Sequence, residues 1–247
     1  VRPDAWLLLR GLAREQRHWG DVSDRIADGL GAEVVRLDLP GTGTERERAS
    51  PTTIGGISED LRARWLSIRG AKTWGIVGPS LAGMVAMQWA KDHPEDFARV
   101  VLVNTSTREV GRPWDRMRPS AFARMCRAVL QTDAVRREES VLAFTTRLVT
   151  DPGLHARRWA ELAKDRPLTR SNLARQLAAA SRFSAPEQLA PPVLVLVGEG
   201  DELCKPSCPK ALAARFGASL AVHPQAGHDL ALDDPEWLVL KIREWAS

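Results

Sequence analysis

Ser80 stands among small residues in Gly78-Pro79-Ser80-Leu81-Ala82-Gly83, where the short apolar run Trp74-Gly-Ile-Val77 gives way to Met84-Val-Ala-Met-Gln-Trp89. A strand that breaks at small residues, presents one serine and continues as a helix holds that hydroxyl on a strained turn above a sheet. Serine is a weak nucleophile unless a base and a group that orients the base stand beside it. His228, in Pro224-Gln-Ala-Gly227-His228-Asp229, is the base on offer. Asp201 is the acid, in Gly198-Glu-Gly-Asp201-Glu202 after the apolar run Pro192-Val-Leu-Val-Leu-Val197. Glu199 competes by residue type, but the spacing from the strand end favours Asp201. Three such groups suit acyl transfer: serine attacks a carbonyl carbon, histidine carries the proton, and aspartate holds the imidazole in the needed tautomer.

The elements that must position these groups alternate along the chain. Apolar runs predict strands at 5–9, 33–37, 73–77, 100–103, 192–197 and 219–222, with helices near 18–27, 57–68 and 81–91 and a last helix starting near Asp234-Pro235. Strand–helix alternation implies a mostly parallel sheet of about six strands with helices on both faces. Ligands of such sheets bind outside the carboxyl ends of the strands. Ser80, Asp201, His228 and the Arg10-Gly11 loop all fall there.

With these residues in place, the chain resembles the α/β-hydrolase superfamily, in which the nucleophile, acid and histidine follow in that chain order. Leu7-Leu-Leu-Arg10-Gly11-Leu12 resembles the strand and His-Gly loop that supplies an oxyanion donor, Asp38-Leu-Pro-Gly-Thr-Gly43 resembles the D-x-P-G-x-G turn, Gly198 to Asp201 matches G-x-x-D, and His93-Pro94-Glu95 before Val100 also fits. The resemblance implies an α/β-hydrolase core in residues 1–106 and 184–247, without the two leading strands of the usual eight-stranded sheet. It implies an oxyanion hole from the backbone N–H groups of Leu12 and Leu81. Departures are Arg10 in the usual place of histidine, Pro79 before the nucleophile, and Ala82 where a glycine eases helix packing, with glycine delayed to Gly83. A second acid location of the family, after Val103, holds Asn104. A serine nucleophile argues against the related dehalogenases and epoxide hydrolases, which use aspartate.

Residues 107–183 read as helical throughout. Phe122, Met125, Cys126, Val129 and Leu130 recur at the spacing of one helix face, as do Val141, Phe144 and Leu148, and Leu173, Leu177 and Ala180. By resemblance this insert is an all-helical cap over the site, with most of these residues packed within it. It carries 16 Arg and Lys against 8 Asp and Glu, whereas the whole 247-residue chain has a net charge of only +4. A basic cap could steer anionic substrates or an acidic carrier protein, although the chain's preference for arginine over lysine makes compositional bias an alternative. No nucleic-acid-binding motif accompanies the charge.

The rest of the composition bounds the class. With 44% hydrophobic and 27% charged residues, the chain is of ordinary globular make-up. No apolar run approaches the roughly 20 residues that cross a bilayer, and the first residues do not resemble a signal peptide. Three cysteines make no disulfide framework, so a cytoplasmic protein is expected. Cys204 and Cys208 lack the further ligands a zinc site needs and are read as small buried hydrophobes, with no metal expected. The expected activity is that of a carboxylic ester hydrolase (serine esterase) acting through Ser80, Asp201 and His228 on a small-molecule ester without a cofactor. Two alternatives stand beside it: a hydrolase or acyltransferase working on carrier-linked esters or thioesters, and a slow or non-turning ligand receptor. The substrate-binding residues are not legible at this stage.

Overall fold

The computed structural model describes residues 1–247. Its sheet is formed by β1 (Ala5–Leu8), β2 (Glu33–Arg36), β3 (Trp74–Pro79), β4 (Arg99–Val103), β5 (Val193–Gly198) and β6 (Ser219–His223), every pair parallel, in the order β2-β1-β3-β4-β5-β6. Parallel strands require crossover connections, and helices supply them: α1 (Val22–Leu30), α2 (Ile54–Leu66), α3 (Leu81–Asp92), and, after the insert described below, α9 (Ser207–Phe216); α10 (Leu230–Asp233) and α11 (Pro235–Ala246) follow the last strand.

The central strands are apolar on both faces because helices cover both. Along each strand successive side chains enter opposite cores, as period-two geometry demands. Leu7, Ile76, Val100, Leu102, Val195 and Val197 join the larger cluster, with side chains of α2, α3 and α9. Leu8, Val77, Val101, Val103, Leu194 and Leu196 join the smaller one, with α1 and α11. Around Trp89 of α3, the rings of Trp65, Trp74, Trp89 and Phe97 meet largely edge to face with centroids 5.0–5.6 Å apart, an arrangement that suits the ring quadrupoles.

Several boundaries differ from the pattern reading. The helix expected at 18–27 is split into a 3-10 turn, Gln16–Trp19, and α1, because Gly20 takes φ +54° between them. The helix expected from residue 57 begins at Ile54, where the Thr53 hydroxyl caps the Gly56 N–H. At the other end of the chain, Asp234 caps α11 by accepting from Trp237 N–H at 2.9 Å.

Between β4 and β5 the chain forms helices only: α4 (Pro113–Arg116), α5 (Pro119–Leu130), α6 (Ala134–Thr145), α7 (Pro152–Asp165) and α8 (Arg170–Arg182). The stripe expected to pack on α5 is only partly inward. Phe122, Cys126 and Leu130 are exposed, and the small Ala121 and Ala128 take the buried positions. The periodicity is real, but residues with little bulk let α5 lie closer along an adjacent face. The insert is fixed to the core by polar contacts at its far end: Asn172 of α8 donates to Gly41 and Arg48 carbonyls and accepts from Ser50 N–H at 2.9 Å. None of the helices is long and apolar enough to cross a membrane.

Candidate active site

Ser80 occupies the turn between β3 and α3 with φ +53° and ψ −121°, a conformation that costs a non-glycine residue on the order of 1–3 kcal/mol and persists only where surroundings enforce it. The enforcement is visible. Ser80 N–H donates to the Val103 carbonyl at 2.8 Å, and the Thr105 hydroxyl donates to the Ser80 carbonyl at 2.7 Å. A Cβ on Gly78 would lie 2.5 Å from the Ala82 carbonyl oxygen, and one on Gly83 would lie 2.8 Å from Thr105 Cβ. The close approach therefore falls on Gly83, one residue later than the family pattern, and Ala82 is buried without obstructing it. Gly11 has the same constraint from the other side: a Cβ there would sit 3.2 Å from Ser80 Cβ.

His228 and Asp201 are brought together across the chain, with His228 Nδ1 2.7 Å from Asp201 Oδ2. Asp201 is almost fully buried, and its other oxygen accepts from Leu203 N–H at 2.7 Å and Cys204 N–H at 2.9 Å. With Nδ1 engaged as donor, Nε2 is the nitrogen left with a lone pair. Burial pulls the His228 pKa down, but the Asp201 charge and hydrogen bond outweigh it, and the value stands above the ordinary one. Ser80 and His228 line one cavity, and no hydrogen bond joins them. Catalytic contacts of this kind commonly tighten only when substrate binds. Glu199 is turned elsewhere, to Lys210 at 2.6 Å.

Leu12 lines the same cavity. Leu81 is the first residue of α3, so its N–H has no partner within the helix. Cys204 and Cys208 are buried, Cys126 is exposed, and all three are free thiols.

Three positioning residues escaped the sequence reading. Asn104, whose φ is +45°, donates to the carbonyls of Gly227 and His228, both at 2.9 Å, and accepts from Gly198 N–H at 2.8 Å. It ties the ends of β4 and β5 to the histidine turn, at the position where an acid is absent. Asn104→Ala would leave three backbone groups unpaired, those of Gly198 and Gly227 buried and that of His228 partly so, each a costly loss. The expected destabilisation is about 3 kcal/mol, read from urea unfolding with an unchanged m value. A loss under about 1 kcal/mol would show that these bonds do not hold the turn.

Arg10 and Asp229 are the other two. The guanidinium forks onto the carboxylate at 2.5 and 3.2 Å and lies over the Trp19 ring at 5.0 Å. Burial alone would raise the Asp229 pKa, yet Arg10 holds it below the ordinary value. The pair joins the Arg10-Gly11 loop, where Arg10 stands in the usual place of a histidine, directly to the residue after His228. Asp229 raises the His228 pKa and Arg10 lowers it. Removing the cation in Arg10→Met therefore shifts the acid limb of the kcat/KM profile to higher pH, and Asp229→Asn shifts it to lower pH. Profiles that move together, or not at all, would refute this assignment.

The Alpha/beta hydrolase family model matches residues 6–240. A 98-residue segment is 34% identical to the dihydrolipoyllysine-residue acetyltransferase component of the acetoin cleaving system of Cupriavidus necator, covering 40% of this chain and 25% of that protein. The chain thus spans a quarter of that relative's length. Over 250 residues it is 26% identical to the 2-succinyl-6-hydroxy-2,4-cyclohexadiene-1-carboxylate synthase of Serratia proteamaculans, covering 97% of this chain and 92% of the relative. Among solved structures, a thermophilic esterase from Thermogutta terrifontis superposes with a TM-score of 0.74 at 22% identity, covering 98% of this chain and 88% of that one. From the family match over nearly its whole length, the chain belongs to the alpha/beta hydrolase family.

Proposed function

We propose that this protein is a serine hydrolase of carboxylic esters, with Ser80 as nucleophile, His228 as general base and Asp201 as the group that orients it. The observation that carries the reading is the 2.7 Å bond from His228 Nδ1 to Asp201, with His228 lining the cavity that also holds the strained Ser80. As Ser80 Oγ bonds to the carbonyl carbon, its proton passes to His228 Nε2, and the carbonyl electron pair moves onto oxygen. Leu12 and Leu81 N–H groups receive that oxyanion, a contribution worth about 100- to 1000-fold per donor in related sites. Collapse breaks the C–O bond to the alcohol, which takes the proton from His228. Water then repeats the cycle on the acyl-serine.

Esters are the simplest substrates for these groups, whereas the names of the relatives span an acetyltransferase, a synthase and an esterase. Fold likeness does not choose among them. The test is covalent labelling. A fluorophosphonate should add once per chain, at Ser80 by peptide mass mapping, and should block 4-nitrophenyl butyrate hydrolysis in proportion. Labelling without any ester turnover would favour a receptor that retains the pocket.

A further inference from the structure

The cavity beside Ser80 encloses about 560 Å³, within the usual span of small-molecule sites. Much of its wall comes from the insert and is apolar, including Met125, Val129, Val141, Phe144 and Leu173. Its charges are unequal. Four arginines, Arg10, Arg14, Arg137 and Arg170, face two carboxylates, Glu138 and Asp229. Both carboxylates are already committed, Asp229 to Arg10 and Glu138 to Arg14, whose Nη1 lies 2.7 Å from Glu138 Oε2 and whose guanidinium stacks over Trp159 at 4.2 Å.

Arg137 and Arg170 remain. Arg137 approaches only Glu138 Oε1, at 3.9 Å, beyond hydrogen-bond length, and its side chain is about one-third exposed (33%). Arg170, at the start of α8, forms no side-chain hydrogen bond or ion pair, and it is exposed. By contrast, Arg124, which also contributes to the insert's basic character, is neutralised by Glu202 at 2.8 Å. The unspent positive charge therefore borders the cavity, next to apolar walls. A guanidinium with free donors matches a carboxylate geometrically, through two parallel hydrogen bonds.

We infer that the substrate carries a carboxylate as well as the scissile ester, and that Arg137 and Arg170 receive it while the apolar wall of the insert covers the carbon chain between the two groups. This assignment rests on the esterase reading for the identity of the bond cleaved, but not for the binding itself.

Calorimetry on the Ser80→Ala protein separates the two. Monoethyl glutarate should bind with a Kd on the order of tenfold below that of diethyl glutarate, as a charge-assisted bond discounted for partial solvent exposure predicts. Arg137→Gln, alone or with Arg170→Gln, should bring the ratio of the two Kd values toward one. Arg136→Gln, an exposed neighbour outside the cavity, should leave that ratio in place. In the native protein, kcat/KM for 4-nitrophenyl hydrogen glutarate over 4-nitrophenyl valerate should show the same preference if the carboxylate belongs to the acyl side; a preference for 3-butyryloxypropanoate over propyl butyrate would assign it to the alcohol side. Equal Kd values for monoester and diester, or a preference indifferent to both arginine substitutions, overturns the inference. Selective binding without hydrolysis of any of these esters would instead remove the esterase reading and leave the carboxylate site standing.

Discussion

Ser80→Ala is expected to lower kcat for 4-nitrophenyl esters by about a million-fold, because a serine and its base act as one unit and loss of either removes nearly the whole advantage. A residual rate above that of the uncatalysed reaction should survive, since the cavity and the proposed oxyanion donors remain. The fold should survive too. Alanine removes only the hydroxyl from a turn held by the Ser80 N–H bond to Val103 and by Thr105 on the Ser80 carbonyl. Those contacts are backbone contacts at residue 80 and do not need its side chain. The measurement is initial rate against ester concentration with matched circular dichroism spectra. Turnover reduced less than about tenfold in a folded variant would place the nucleophile elsewhere.

Asp201→Asn is expected to lower kcat by about ten-thousand-fold near neutral pH while keeping the loop intact, the magnitude known for tautomer inversion in such triads. Two backbone N–H groups, of Leu203 and Cys204, point at Oδ1 and accept no substitute for an oxygen there. They therefore orient the asparagine amide with its NH2 toward His228. An NH2 can only donate, so Nδ1 must become the acceptor and the ring proton moves to Nε2. Nε2 then has no lone pair for the Ser80 proton. Asp201→Ala would differ in kind, since it strips the two N–H groups of their acceptor and loosens the segment itself. Comparing the two variants by kcat and by urea unfolding distinguishes the tautomer effect, which costs rate alone, from the structural one, which costs both.

Much of this was legible before any coordinates. The strands show as apolar runs because both faces of the sheet are covered, and the glycines around Ser80 announce a tight turn because few other residues could make it. Asp201 and His228 announce themselves through their positions after strands. Asn104 does not, because its three bonds reach residues 94 to 124 positions away and its type carries no periodic signal. Arg10 was visible as a departure but not as half of a pair, since Asp229 lies 219 residues later. The face of α5 illustrates another limit. Helical spacing identifies a stripe, while the neighbour's shape decides how much of it is covered, and here Phe122 is left in solvent.

The histidine turn is also bonded to the insert. Asp229 N–H donates to the Thr145 carbonyl at 2.7 Å, and Asp233 accepts from Arg147, Leu148 and Gly227 N–H groups. The end of α6 and the segment that carries His228 are thus one mechanical piece. The insert also grips the Asp201 segment, through Arg147 on the Gly200 carbonyl at 3.3 Å and Arg118 N–H on the Leu203 carbonyl at 2.9 Å. Loosening the end of α6 is therefore expected to disturb the placement of His228 and Asp201 together, and not only the cover over the cavity.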